Sequence, residues 1–400
     1  MPEYANIVID ISHEKLDKIF QYRIPEALRT DLAVGMRVSV PFGAGNRVTA
    51  GYVVGLTEEA SYDPEKIKEI KGLVPGSIPI ESQLIALADW MRENYGGTMN
   101  HALKTVLPIK QKAAEKKQRF VSLAVSREEA KEQLALFEKK HYTARARLMS
   151  ALLEQSPIPY ETVVVKWNIS FAVIRSMKKM GMVNVEERRL FRSPFGEIPQ
   201  EGQRLALNED QRQVVARIWQ EWQQGCRRTY LIHGVTGSGK TAVYIELIER
   251  VVQAGRQAIV LIPEIALTYQ TVARFYQRFG ERVSILNSKM SAGERSDQFE
   301  RASQGEVDVM IGPRSALFTP FSDLGMIIID EEHESSYKSE TLPRYHARET
   351  AIARAGMAGA SVVLGSATPS VDSYYKARKG EYVLLELEKR IDEKPLPACH

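Results

Sequence analysis

Cysteine is nearly missing: Cys226 and Cys399 are the only two in 400 residues. Two thiols cannot build a disulfide framework or a four-ligand zinc site, which excludes both as the scaffold and fits a reducing compartment. No stretch approaches the roughly 18 consecutive apolar residues of a membrane-spanning helix. No basic segment leads an apolar run between Met1 and Asp10, as a secretory signal would require. A cytoplasmic protein without a membrane partner is expected. An excess of one charge is absent too, since 54 Lys and Arg face 50 Asp and Glu for a net +4. That balance announces no polyanionic partner, so any such signal has to come from local clusters. Internal repeats and long low-complexity segments are also lacking.

What is present suffices for several cores. The chain is 44% hydrophobic and 26% charged, which argues against wholesale disorder. At about 100 to 200 residues per domain, this length suggests two to four domains.

From Ile7 to Val54, short β-rich runs alternate with turn residues: Phe20 to Ile24, Arg37 to Val40 and Gly51 to Val54, with a turn expected at Pro41 to Gly45. Leu84, Ile85, Leu87, Ala88 and Met91 then fall at helical spacing over Ser82 to Glu93, with an N-cap at Ser77 or Ser82. Lys110 to Arg119 holds five basic residues and no large apolar side chain, so it reads as a solvated linker. Two helical stretches, Ala144 to Glu154 and Ser170 to Met180, flank a Pro-containing connection and precede an extended Met182 to Glu186. That order suggests a winged helix.

Beyond Leu205 the pattern becomes alternating strands and helices. Near-continuous apolar runs at Tyr230 to Ile232, Ala258 to Ile262, Val307 to Ile311, Met326 to Ile329 and Val362 to Leu364 read as buried parallel strands. Helices are expected between them, at Thr241 to Gln253 and Ala266 to Phe279 among others. The predicted fold is multidomain: a small β-rich N-terminal domain, a winged helix, then a doubly wound α/β P-loop lobe. The boundaries fall at 1–109, 110–200 and 201–400.

Gly234-Val235-Thr236-Gly237-Ser238-Gly239-Lys240-Thr241 matches the P-loop pattern between a predicted strand and a predicted helix. Its glycines let backbone N–H groups wrap a polyphosphate and the helix N-terminus adds partial positive charge. Lys240 reaches the β and γ phosphates and Thr241 ligates Mg2+. Met326 to Ile329 then runs into Asp330-Glu331-Glu332-His333. At the carboxyl end of a buried strand, Asp330 holds Mg2+ through water and Glu331 activates water.

The Asp-Glu-x-His form of that strand end resembles superfamily 2 helicases. Pro263 to Thr268, Gly312 to Phe318 and Gly365 to Ser370 are similar to motifs Ia, Ib and III, and Gln211 in Asn208-Glu209-Asp210-Gln211 sits where that family reads adenine. Within it the chain resembles the PriA, or primosomal protein N′, family. The resemblance rests on Ala266-Leu267-Thr268, Arg314-Ser315-Ala316-Leu317-Phe318, an aromatic-rich loop from Ser336 to His346, and Phe20-Gln21-Tyr22 with Val40-Pro41-Phe42-Gly43. It implies a 3′ to 5′ DNA helicase, nucleoid-associated, that recognises stalled or branched forks and restarts replication by enabling replicative helicase loading. ATP and Mg2+ are the implied cofactors, with Lys240, Asp330, Glu331 and His333 catalytic. The implied partners are forked and single-stranded DNA, the nascent 3′ end, single-strand binding protein and primosome loading proteins.

Residues 1–109 would then bind the 3′ DNA end through Phe20, Gln21, Tyr22 and Gly43. Gln21 stands where the family can have an acid, so either it contacts the terminal sugar, or Phe20, Gln21 and Tyr22 serve a structural strand-pairing role. In the aromatic loop Tyr337 and Tyr345 would stack on bases while Lys338, Arg344 and motif Ib's Arg314 meet the DNA. Otherwise the loop is a solvated hairpin. Arg175, Lys178 and Lys179 form either a phosphate-facing or a merely solvated basic face. The family's second motor lobe and its zinc-binding cysteine cluster are not in these residues, so a fragment with little activity of its own is expected. The competing expectations are a non-catalytic fork-binding scaffold and another superfamily 2 DNA translocase.

Overall fold

The structure, a computed structural model, describes residues 2–11, 13, 16–75, 77, 80–107, 117–189 and 206–391. The expected linker over 110–116, the two expected domain boundaries and the Cys399-His400 pair lie outside the described residues. The chain forms two compact units, Met1–Ala113 with Ser193–His400, and Ala114–Arg192.

The first unit begins with β1 (Tyr4–Ile9), β2 (Ile19–Arg23), β3 (Arg37–Phe42), β4 (Arg47–Thr57) and β5 (Gly72–Leu73), followed by α1 (Ser82–Tyr95) and α2 (Met99–Val106). The strands make an antiparallel sheet in the order β2-β1-β4-β3-β5. Because side chains alternate along a strand, Ala5, Ile7 and Ile9 enter one core with Tyr22, Val38, Val40 and Val53. Val8 and Tyr52 face the other way, toward Leu84, Leu87 and Met91. The β3–β4 turn starts later than expected. Pro41 and Phe42 pair with Val48 and Arg47, and the reversal uses Gly43 at φ +72° and Asn46 at φ +50°, residues that tolerate the left-handed region. Neither Ser77 nor Ser82 caps α1. The Glu81 carboxylate accepts from the Gln83 and Leu84 amides and adds a charge that suits the helix dipole.

The second unit comprises β6 (Lys117–Leu123), α3 (Arg127–Lys139), α4 (Thr143–Glu154), β7 (Ile158–Pro159), a one-turn helix (Thr162–Lys166), α5 (Phe171–Lys179) and β8 (Val183–Arg189), with a sheet ordered β7-β6-β8. Helices α4 and α5 and strand β8 follow the expected winged-helix order. Lys117 to Arg119 is not linker but the start of β6, paired with β8 so that Arg119 stands opposite Glu187. Only Val121 of this strand is fully buried.

The first unit resumes with α6 (Glu209–Gln223), β9 (Thr229–Gly234), α7 (Lys240–Gln253), β10 (Gln257–Leu261), α8 (Tyr269–Phe279), β11 (Val283–Ile285), α9 (Ala292–Ser303), β12 (Val309–Gly312), β13 (Leu324–Asp330), α10 (Ala347–Ala358), β14 (Ser361–Ser366), α11 (Val371–Arg378) and β15 (Val383–Leu387). The seven strands pair in parallel in the order β11-β12-β10-β13-β14-β9-β15. Leu231, Ile259, Ile327 and Leu364 enter one core, while Tyr230, Val260, Ile328 and Val363 enter the other. Burial on both faces is why these runs are apolar without interruption.

The core that contains Val8, Leu87 and Leu103 also contains Ile327, Phe318, Tyr337 and Ala351. The β-rich N-terminal region and the α/β lobe therefore share one hydrophobic interior. Leu103→Ala is expected to cost about 2 to 5 kcal/mol in denaturant melts. The same variant should weaken hydrogen-exchange protection in β13 as well as β1; protection lost in β1 alone would show that the two regions unfold separately.

Candidate active site

Strands β14, β9 and β13 end beside one another, and their carboxyl ends carry the chemistry. Gly234 closes β9, and the loop turns into α7 through Gly237 and Gly239 at φ +83° and +80°. A Cβ on Gly239 would overlap the Gln211 amide, and one on Gly234 would stand 2.6 Å from Ser238 Oγ. The cradle is therefore built for bare backbone. Ser238 Oγ is buried within it without a hydrogen-bond partner. Lys240 Nζ donates to the Gly234 carbonyl at 2.9 Å and stands 3.9 Å from Glu331 Oε1. Thr241 follows on the first turn of α7, and Val235 and Thr236 complete the loop.

Gln211, expected to read adenine, has its side-chain amide turned to the P-loop and the start of α6. It is 2% exposed, its Nε2 donates to the Ser238 carbonyl at 2.8 Å, and its Oε1 accepts the Asn208 amide at 2.9 Å. The Asn208 to Gln211 spacing is a capping box that starts α6, and its glutamine braces the P-loop.

Asp330 is the last residue of β13 and accepts a hydrogen bond on Oδ1 from the Tyr244 hydroxyl at 3.0 Å. Burial pushes its carboxyl up to about 6. The adjacent Glu331 carboxylate acts in the same direction, against the Tyr244 hydroxyl and the Lys240 ammonium. Glu331 adopts φ +47°, a strained value for a non-glycine residue. The chain there leaves Glu331 near Lys240 and sends Glu332 inward. His333 Nδ1 lies 2.8 Å from Ser366 Oγ, which accepts the Thr368 amide at 3.0 Å. The Asp-Glu-x-His box and the Ser-Ala-Thr segment are thus in direct contact.

Sequence reasoning passed over the residue between Glu331 and His333. The Glu332 carboxylate is fully buried and accepts from Arg348 Nη1 at 2.7 Å, the Ser370 amide at 2.6 Å and the Ser373 hydroxyl at 2.9 Å. Arg348 lies on α10 and is itself nearly buried. This pair ties the end of β13 to the start of α11. The signal was faint: an arginine early in a helix, distant in sequence from the box.

The aromatic loop differs from expectation. Tyr337 is 1% exposed, and its hydroxyl lies 2.7 Å from the Asp330 carbonyl and 3.0 Å from that of Leu261. Tyr345 is buried against Phe318, with ring centroids 5.5 Å apart. Neither ring is open for a base to stack on, because both fill the shared core. Arg314 donates to the Ser336 and Lys338 carbonyls and so pins the loop. Lys338 and Arg344 are exposed, and the Lys338 ammonium sits over the Tyr95 ring of α1 at 5.3 Å.

In the N-terminal sheet, Gln21 donates to the Glu59 carbonyl at 3.1 Å and accepts the Ser61 amide at 2.7 Å. Tyr22 is buried, with its hydroxyl on the Pro41 carbonyl. Both therefore take the structural alternative. Phe20 remains half-buried, edge-on to Phe42 at 5.1 Å with Lys18 at 5.2 Å from its ring centroid. Gly43 has open space at its Cα, and its carbonyl accepts from Lys68 at 2.8 Å. In the second unit, Arg175, Lys178 and Lys179 are all exposed on α5.

Comparison with known proteins matches residues 6–108 to the family described as 3′DNA-binding domain (3′BD) of PriA, and residues 204–371 to the family described as type III restriction enzyme, res subunit. The replication restart protein PriA of Bacillus subtilis is 32% identical over 98% of this chain and 57% of its own length. That of Chlamydia pneumoniae is 34% identical over 97% of this chain and 51% of its own length. The chain thus spans about half the length of the curated relatives it matches. Among solved structures, RecG bound to a three-way DNA junction aligns with a TM-score of 0.36 at 23% identity, over 46% of this chain and 24% of that one.

Glu332→Ala would strip Arg348 Nη1, the Ser370 amide and the Ser373 hydroxyl of their buried acceptor, while Glu349 stays paired with the guanidinium's other edge at 2.9 Å. The expected loss is about 1 to 3 kcal/mol in urea unfolding. A loss under about 1 kcal/mol would mean that the pair behaves like a surface ion pair.

Proposed function

We propose, from the premise that this chain belongs to the PriA family, that it supplies the fork-binding and ATP-binding portion of a 3′ to 5′ DNA helicase that restarts replication. One observation carries the motor reading: the P-loop, Asp330, Glu331 and Ser366 meet at the ends of three neighbouring parallel strands. Open α/β sheets bind ligands at such ends.

The residues fit a magnesium nucleoside triphosphate. The glycine cradle would close if a Cβ were added at position 234 or 239, and the buried Ser238 hydroxyl lacks a partner. Thr241 and Asp330 would hold the metal, which when bound neutralises charge on the β and γ oxygens. Two protein contacts suffice for a metal that arrives with its nucleotide. Lys240 would exchange the Gly234 carbonyl for a phosphate oxygen. Glu331, held near Lys240, would orient the attacking water and take its proton, and His333 would relay the state of the site to Ser366. Zinc has no ready-made site here, since among the described residues no cluster of three or more His, Cys, Asp or Glu could hold it.

In this reading residues 1–109 take the nascent 3′ end, with Phe20 and Gly43 as the open surface. Residues 110–200 add a winged helix whose Arg175, Lys178 and Lys179 meet phosphates, and 201–400 form the first motor lobe. Lys338, Arg344 and Arg314 line the DNA side of that lobe. Forked and single-stranded DNA would be the substrates, with single-strand binding protein and primosome loading proteins as partners at the nucleoid. Among the described residues no helix is long and apolar enough to cross a membrane.

The 400-residue chain is expected to bind forked DNA with salt-dependent affinity and to hydrolyse ATP very slowly. An arginine contact from a second lobe contributes about 10³ to 10⁵ in rate in related phosphoryl transfer. Lys240→Ala should abolish nucleotide binding and leave fork binding nearly unchanged. Equal loss of both, or strong DNA-stimulated turnover by this chain alone, would contradict the reading.

A further inference from the structure

Helix α7 buries Val243, Leu247, Ile248 and Val251 as apolar packing, and Tyr244 is the one residue of that buried face with a hydroxyl. A phenylalanine would fill the same space, so packing does not account for the oxygen. Its position is specific: 3.0 Å from Asp330 Oδ1, on a side chain that is 1% exposed. The neighbouring strand makes room for it, because a Cβ on Gly365 at the end of β14 would overlap the Tyr244 hydroxyl. The Asp330 backbone is held as well, its carbonyl 2.7 Å from the Tyr337 hydroxyl. Two tyrosines from different segments thus fix the carboxylate and the peptide of one residue. Buried polar groups find partners, and a hydrogen bond to an ionised acceptor is the stronger kind.

We propose that Tyr244 is a positioning residue for magnesium. Its hydroxyl holds the Asp330 carboxylate in one orientation on the P-loop helix, so that the metal contact and the phosphate cradle move as one body. Gly365 is the matching space on the motif III strand. The inference rests on the proposed reading of Asp330 as a magnesium contact. Groups that orient metal ligands from behind set affinity for the metal, typically by about 10- to 100-fold.

The test is binding of a fluorescent ATP analogue to the 400-residue chain, titrated with MgCl2 and repeated in EDTA. For the unaltered chain, magnesium should tighten analogue binding; no tightening would remove the proposed metal role of Asp330 and this inference with it. Given tightening, Tyr244→Phe should raise the half-saturating magnesium concentration about tenfold, with affinity in EDTA and the thermal midpoint nearly unchanged. An unshifted magnesium curve, or equal losses with and without metal, would overturn the role for Tyr244 while leaving Asp330's intact. Gly365→Ala, which forces the hydroxyl off its position, should shift the magnesium curve in the same direction and serves if the phenylalanine variant does not fold. No shift in a folded Gly365→Ala would also count against the proposal.

Discussion

A buried carboxylate at the end of a parallel strand is the constraint on which this molecule depends. Asp330 sits where β13 emerges from a sheet apolar on both faces, and ionising it there is costly enough to lift its carboxyl to about 6. The Tyr244 hydroxyl on the side chain and Lys240 across the P-loop offset that cost, and the Tyr337 hydroxyl holds the carbonyl of the same residue. Each comes from a different segment, so arranging this one residue organises the loop before α7, the turn after β13 and the aromatic loop together.

The next residues divide the labour. Glu331 is held in a strained backbone conformation near Lys240, while Glu332 enters the core to meet Arg348 and the start of α11. An ion pair that deep contributes little net stability compared with apolar packing, but removing one partner is severe. Its value is geometric: it sets the register between the Asp-Glu-x-His turn and the Ser-Ala-Thr segment, which His333 and Ser366 also bridge.

Much of this was legible in the sequence because local chemistry and global fold demand the same residues. A P-loop needs glycine where φ is positive, and strands buried on both faces must be apolar throughout, so the loop and five central strands could be placed from the sequence. Other elements hid for physical reasons. Strand β6 fully buries one side chain and opens with Lys117, Gln118 and Arg119, which read as linker, and β11 is three residues long. Helix α3 buries only Ala130 and Phe137, although its Ser126 and Glu129 capping box was a readable start. Tyr337, Tyr345 and Gln211 were read toward a ligand, and for Gln21 and Tyr22 a ligand and a structural role both stayed open, for one reason: a polar or aromatic group able to contact a ligand is also able to satisfy a buried backbone. Only burial distinguishes the two, and burial is not written in residue type.

The most direct measurement is a crystal structure of the chain with Mg2+ and a non-hydrolysable ATP analogue. The triphosphate should lie against the backbone amides from Gly237 to Lys240, with Lys240 Nζ released from the Gly234 carbonyl and magnesium between Thr241 and Asp330. A crystal in which the analogue binds elsewhere, or in which Lys240 keeps its bond to Gly234 with ligand present, would contradict the motor reading at its foundation.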